Sequence, residues 1–344
     1  MKAAVMHEFG DFDVLKYEDI ATPEPKSGHV LVKVLAAGVN RLDHYLREGS
    51  VTRDIPLPHI LGADAVGEVA ELGPGVSGLK AGDKVIVVPG FPLKEAEKDI
   101  YPAVTAPSFA LPGLGIWGGY AQYIEVPARS VVKDETGLAP ERLATLPVVL
   151  ATAVRSVKKV ARVEAGDKVL VQAGASGSGS MLIQVAKALG AEVATTVRGA
   201  AKAEFVESLG VDLVIDTRKA DFVERIKEWT GGKGADVVID NLGGEVLAKS
   251  IDAVKPLGVV VAFGFAAGAE VGFDIRSLFF AQKQLKGSMA SDVADLEWGL
   301  EQLRAGRIEA VLDRALPLSD AAQAHRLIAA NQVKGNIVLL PWAA

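Results

Sequence analysis

Apolar and polar residues alternate with a period of two through short stretches of the N-terminal half. These are His29–Ala36, Ala65–Leu72, Lys84–Val88 and Tyr120–Val126, with glycine and proline between them. The pattern predicts short strands joined by turns, hence a mostly β domain. The texture changes once, near residue 150. Apolar runs at Lys168–Ala173, Glu192–Val197, Asp212–Ile215, Ala235–Asp240 and Gly258–Phe263 now alternate with stretches of helical spacing. Leu182, Val185, Ala186 and Leu189 mark one such helix; Phe222, Ile226 and Trp229 mark the next. Continuous apolar strands alternating with amphipathic helices predict a parallel sheet covered on both faces. After Gln284–Met289, a charged helix over Leu296–Leu303 and a last strand, Asn336–Leu340, return to the first texture. The expected organisation is a parallel α/β domain, 150–289, inserted into a β-rich domain formed by 1–149 and 290–344.

A length of 344 residues exceeds what one core usually serves, which agrees with two domains. The net charge of −6 disfavours a general nucleic-acid binder, which needs a basic surface. There are no cysteines. Disulfides, thiolate catalysis, iron–sulfur clusters and cysteine-based zinc sites are therefore excluded, and a reducing cytoplasm is compatible. His7, Glu8, Asp11 and Asp13 break up the start of the chain, so no secretory segment is expected there. The longest uncharged run, Ile100–Ile124, contains Pro102, Pro107, Pro112 and four glycines. It reads as an irregular loop, and no membrane partner is expected.

Gly174-Ala175-Ser176-Gly177-Ser178-Gly179 follows a predicted strand and opens a predicted helix. A dinucleotide fold places its pyrophosphate at such a turn, on free backbone amides. The usual G-x-G-x-x-G spacing is altered, with Ser176 at the second glycine and an extra glycine at 177. An NAD enzyme typically ends its second strand with an acid that holds the ribose diol. Here that strand ends in Val197-Arg198-Gly199, with Lys202 one turn later. Two cations and no acid predict NADP(H) in preference to NAD. Asn241 and Gly264, after the strands Ala235–Asp240 and Gly258–Phe263, complete the expected cofactor set.

Taken with the N-terminal half, these residues resemble the medium-chain dehydrogenase/reductase superfamily, in its quinone oxidoreductase-like and zinc-type alcohol dehydrogenase-like branch. The resemblance rests on Ala37–Asp43, Leu61–Val69, Gly73–Val76, Gly82–Val85, Gly118–Ala121 and Leu146-Pro147. It continues through the glycine turn, Ile183–Lys187 and Val238–Asp240, nearly end to end. It implies a GroES-like, partly open β-barrel catalytic domain built from both chain ends, a Rossmann doubly wound domain between them, and an active site in the cleft. The positions resembling the catalytic zinc ligands of the zinc alcohol dehydrogenases are Asn40, Ala63 and Val148. Those resembling the proton-relay hydroxyl and histidine are Leu42 and Tyr45. The four-cysteine structural-zinc lobe is replaced by the proline-rich Phe91–Trp117 loop. His7, His29, His44, His59 and His325 show no local ligand spacing, and no metal is expected.

A quinone or enone needs a well-placed hydride donor and a proton, without the Lewis acid that alcohol oxidation requires. Asn40 either donates an amide N–H to a substrate oxygen or serves as a turn residue bonding its own backbone. Tyr45 donates a hydrogen bond or proton, or only walls the pocket. Thr152 resembles the family's threonine beside the nicotinamide. Asp43 and Asp64 are expected to pair with buried basic groups. The expected function is zinc-independent, NADPH-dependent hydride transfer to a quinone or related activated carbonyl or alkene. Enoyl thioester reduction, alcohol dehydrogenase-like chemistry, or NADPH binding without turnover stand as alternatives. Pairing of the Gln284–Met289 sheet edge with its own copy predicts a homodimer, and a second interface would give a tetramer.

Overall fold

The apolar runs of the second half become neighbouring parallel strands in the computed structural model, which describes residues 1–290 and 292–343. Two compact units are present: Met1–Ala151 with Ala290–Leu300 and Ala310–Ala344, and Thr152–Met289 with Glu301–Glu309. The second unit holds a six-stranded parallel sheet. Numbered in chain order, its strands are Lys168–Val171, Glu192–Val197, Leu213–Asp216, Ala235–Asp240, Val254–Ala262 and Gln284–Gly287. Their spatial order is 3-2-1-4-5-6, the order of a doubly wound dinucleotide-binding sheet. Both faces are covered, so Val169, Leu170, Val171, Val237, Val238 and Ile239 are all buried.

In the first unit, the long strand His29–Val39 organises a seven-stranded sheet. It pairs antiparallel with Val66–Leu72, Tyr123–Pro127 and Asn336–Leu340, drawing both chain ends into one GroES-like barrel. Its apolar residues Val30, Val32 and Val34 enter a core shared with Val5, Ile60, Ile124, Ile337 and Leu339. Its last residues lead straight into the helix Arg41–Glu48.

Two segments differ from expectation. Within the Phe91–Trp117 loop, Phe91–Pro92, Phe109–Pro112 and Gly115–Ile116 form a small three-stranded sheet. Phe91, Ala110 and Leu111 are buried there, and their backbone groups need partners that an irregular loop would not supply. Leu312–Pro317 also forms a strand, parallel to Asn336–Leu340 and connected through the helix Ala321–Ala329. Its half-exposed residues carry little alternation for a sequence reading to detect. Among the described residues, no helix is long and apolar enough to cross a membrane.

Candidate functional site

Asn40 caps the helix Arg41–Glu48. Its extended backbone ends the long strand, and the Asp43 carboxylate returns to accept the Asn40 N–H at 2.8 Å. Gly49, left-handed at φ 73, closes the other end of the helix. The Asn40 amide Nδ2 donates to Asp64 Oδ2 at 2.7 Å, and the Val148 N–H donates to Asp64 Oδ1 at 2.7 Å. Asp64 can come this close because Gly38 lacks a side chain; a Cβ there would stand 2.6 Å from Asp64 Oδ2. Two of the three positions that resemble zinc ligands, Asn40 and Val148, are thus tied to one carboxylate. The third, Ala63, offers only a methyl group. Among the described residues, no group of three His, Asp or Glu side chains could hold a metal ion.

Asp43 and Asp64 do not pair with buried basic groups as expected. Their partners are neutral. Asp43 Oδ1 accepts the Gly62 N–H at 3.2 Å and Asp43 Oδ2 accepts the Tyr120 hydroxyl at 3.0 Å. Burial dominates both carboxyls, both 0% exposed, and pushes Asp43 up to about 6 and Asp64 up to about 7. Behind Asp43, the Tyr120 oxygen lies 3.3 Å from His325 Nε2. Burial first, and then the Arg47 charge, hold His325 well below the usual histidine range, so it is neutral. Neither Tyr120 nor His325 is legible from the sequence as part of the site. Tyr120 meets Asp43 across 77 residues of chain, and His325 meets Tyr120 across 205.

Tyr45 lies one turn along the same helix as Asn40, half-buried, with its hydroxyl hydrogen-bonded to the Arg41 side chain. Burial raises the phenol above its ordinary value, so it keeps its proton. Asn40 and Tyr45 therefore belong to one local structure. Thr152 is half-buried and belongs to the other unit.

In that unit, the glycine turn lies between the first strand and the helix Gly177–Ala188. Ser176 is its N-cap, accepting the Gly179 N–H at 3.0 Å and donating to the Ala173 carbonyl at 2.8 Å. The first-turn N–H groups of Gly177 and Ser178 have no partner among the described residues, which suits an anion. A Cβ on Gly179 would stand 2.2 Å from the Ala173 oxygen, so only glycine allows the turn to close against the helix. Beneath it, Thr196 Oγ1 accepts the Ala173 N–H at 2.9 Å and donates to Gln172 Oε1 at 2.7 Å. Gln172 donates to Ser250, and Ser250 to Asp240. Asn241 Oδ1 is buried without a partner among the described residues, and a Cβ on Gly264 would stand 2.3 Å from the Asn241 carbonyl oxygen. Unspent donors, a crowded glycine turn and an unmatched buried acceptor fit a dinucleotide.

At the second strand's end Arg198 is exposed and Lys202 is half-buried. The reading that no carboxylate reaches this point is corrected by Asp216. It ends the third strand in register with Val197 and accepts the Gly199 N–H at 3.3 Å.

Comparison with known proteins agrees with this architecture. The family "Alcohol dehydrogenase GroES-like domain" matches residues 26–138, and "Zinc-binding dehydrogenase" matches 177–305. The chain is 31% identical to a 2-haloacrylate reductase of Burkholderia sp, over 99% of both chains. It is 28% identical to quinone oxidoreductase 1 of Escherichia coli (strain K12), over 97% of this chain and 98% of that one. Among solved structures, an NAD-dependent alcohol dehydrogenase aligns with TM-score 0.92 and 32% identity, covering 99% of each chain. Mycobacterial Rv1454c complexed with NADPH aligns with TM-score 0.84 and 30% identity, covering 99% of this chain and 100% of that one. These matches run through both units and through every segment described above. The chain belongs to the medium-chain dehydrogenase/reductase superfamily, in its quinone oxidoreductase-like branch, and is an oxidoreductase.

Proposed function

We propose that this chain is a zinc-independent, NADPH-dependent reductase of quinones and of alkenes activated by a neighbouring carbonyl. The donor set carries the reading: an amide, a methyl group and a valine stand where zinc would need three ligands. Such a set cannot stabilise an alkoxide as a Lewis acid does. It suits a substrate that is already electrophilic and that, once reduced, needs only an N–H or O–H donor. Likeness to 2-haloacrylate reductase supports including alkenes beside a carboxylate.

In this reading, Gly174 to Gly179 hold the pyrophosphate, Asn241 and Gly264 border the same site, and Arg198 with Lys202 meets the 2′-phosphate. A bound nicotinamide supplies the hydride. Asn40 has one amide hydrogen committed to Asp64 and a second with which to hold the substrate oxygen. Tyr45, kept protonated by burial and oriented by Arg41, donates to the developing anion. Thr152 borders the nicotinamide ring.

NADPH oxidation by the purified protein tests this with ortho- and para-quinones, enones, 2-haloacrylate and enoyl thioesters, before and after exhaustive chelation. Turnover on a quinone or activated alkene is expected, with the same rate after chelation. Cofactor binding without turnover on any of them would point to a regulatory protein. Stoichiometric zinc lost together with activity would overturn metal independence.

We also propose a homodimer through the strand Gln284–Gly287. It is the sheet's last strand, paired only with Val254–Ala262 among the described residues. Lysines commonly guard such edges. Here Lys286 Nζ turns back to the Val160 carbonyl and Lys283 Nζ to that of Ile251. Leu285 and Phe280 stay exposed at 39% and 75%. The Ser288 N–H bonds the Ala262 carbonyl, so by the alternation of a parallel ladder Lys286 also donates inward and Gly287 donates at the free edge. Gly287→Pro removes that edge donor and should yield monomer where Gly287→Ala, whose added Cβ meets nothing within 4 Å, stays dimeric. Light scattering checks this; a mass near 36.0 kDa for the unmodified protein would rule the dimer out.

A further inference from the structure

The geometry points to Arg218 and Asp216 as a selectivity pair for the cofactor's ribose, with Arg218 securing the 2′-phosphate and masking a carboxylate that would otherwise take a 2′,3′-diol. The inference rests on the NADPH reading above, and it concerns two residues that reading did not include. Parallel pairing sets Asp216 beside Val197, at the point where a dinucleotide fold recognises the ribose. Asp216 Oδ1 accepts the N–H of Gly199 at 3.3 Å and that of Arg218 at 3.2 Å. Arg218 closes back over it with Nε 3.3 Å from Oδ1 and Nη2 3.3 Å from Oδ2.

The guanidinium lies directly against Gly199, the residue after Arg198. A Cβ on Gly199 would stand 2.6 Å from Arg218 Nη2 and 3.1 Å from its Cζ. Gly199 also has φ +108, which disfavours any other residue. Two adjacent features of the chain thus keep the space over Gly199 open for a cation carried in from the third strand. Arg198 and Arg218 flank the same backbone turn, with Lys202 one helical turn on.

The chemistry of the pair is two-sided. A carboxylate at this position accepts the two ribose hydroxyls and repels a 2′-phosphate. Hydrogen bonding from Arg218 depresses the Asp216 carboxyl, so it is charged at every working pH. A guanidinium can grip a phosphate with two parallel hydrogen bonds. Arg218 is 58% exposed, and its bonds to Asp216 are longer than those of a tight charged pair. It can therefore serve a phosphate while still neutralising the acid. Without Arg218, the carboxylate is bared at the diol position.

Equilibrium titration of NADPH and NADH, followed by protein fluorescence or calorimetry, separates the possibilities in unmodified protein, Arg218→Ala, Arg198→Ala and Arg218→Ala/Asp216→Asn. Arg218→Ala should weaken NADPH at least tenfold and tighten NADH at least twofold. Arg198→Ala should weaken NADPH alone. Adding Asp216→Asn should remove the gain for NADH. Arg218→Lys keeps the charge without the fork and should fall between the unmodified protein and Arg218→Ala. If Arg218→Ala leaves both affinities unchanged while Arg198→Ala weakens NADPH, the inference fails and the NADPH reading stands. If the unmodified protein binds NADH as tightly as NADPH, that reading fails and this inference with it.

Discussion

Replacing Gly179 by alanine is expected to weaken NADPH binding by about 5- to 150-fold, although the substitution adds one methyl group and favours helix. That methyl would stand 2.2 Å from the Ala173 carbonyl oxygen and 2.8 Å from the Gly174 Cα. Both are backbone atoms of the turn, so no side chain can swing aside. Relief requires the turn to move away from its helix. Moving it stretches the Ser176 bonds to Gly179 and Ala173, which fix the first-turn amides of Gly177 and Ser178. Overpacking of this kind costs roughly 1–3 kcal/mol, and that range sets the expected loss. Gly272→Ala is the matched control, since nothing lies within 4 Å of its added Cβ. Calorimetric titration of both variants reads the difference. Unaltered NADPH affinity in Gly179→Ala would refute the cradle.

The same turn shows what the sequence makes legible. Its glycines and capping serine are contiguous, and the flanking apolar runs are buried on both faces, so both the element order and the turn can be read along the chain. Asn40 and Tyr45 are five residues apart on one helix start and are legible for the same reason. Asp64 meets Asn40 from 24 residues away, and His325 meets Tyr120 from 205 away. Only the folded barrel brings these side chains together. Asp216 illustrates the rule more sharply. A reading along the second strand finds Arg198 and no acid, whereas the parallel register of the third strand delivers a carboxylate to Gly199. The Leu312–Pro317 strand escapes detection for another reason, since half-exposed residues leave no period to read.

Stability measured between pH 5 and pH 8 is expected to expose the charge on Asp64. In the unfolded chain its carboxyl titrates near ~3.9, whereas in the folded barrel burial raises it to about 7. Between those values the native state binds more protons than the unfolded state, so this group's contribution falls as pH rises. It is fully present below ~3.9 and gone above about 7. Asp43, raised to about 6, acts in the same direction over a narrower window. His59 and His325, both shifted down by burial, oppose both, because the unfolded chain takes up their protons at a higher pH than the native state does. The unmodified protein's own profile therefore mixes opposite slopes, and the contribution of Asp64 emerges by difference. Asp64→Asn keeps the shape and removes the titration. Its NH2 group faces a donor, Asn40 Nδ2 or the Val148 N–H, at a roughly constant cost of about 1–3 kcal/mol at every pH. A constant cost leaves the slope untouched. Urea unfolding at pH 5 and pH 8 should show the variant's stability changing more favourably with rising pH than the parent's. The expected difference is on the order of 3 kcal/mol. Parallel profiles would mean that Asp64 is not titrating in this window. The catalytic consequence shares its origin: only the ionised carboxylate accepts the Asn40 amide with no proton of its own to place. The parent's kcat should therefore fall as pH drops through about 7, and the variant's profile should lose that step.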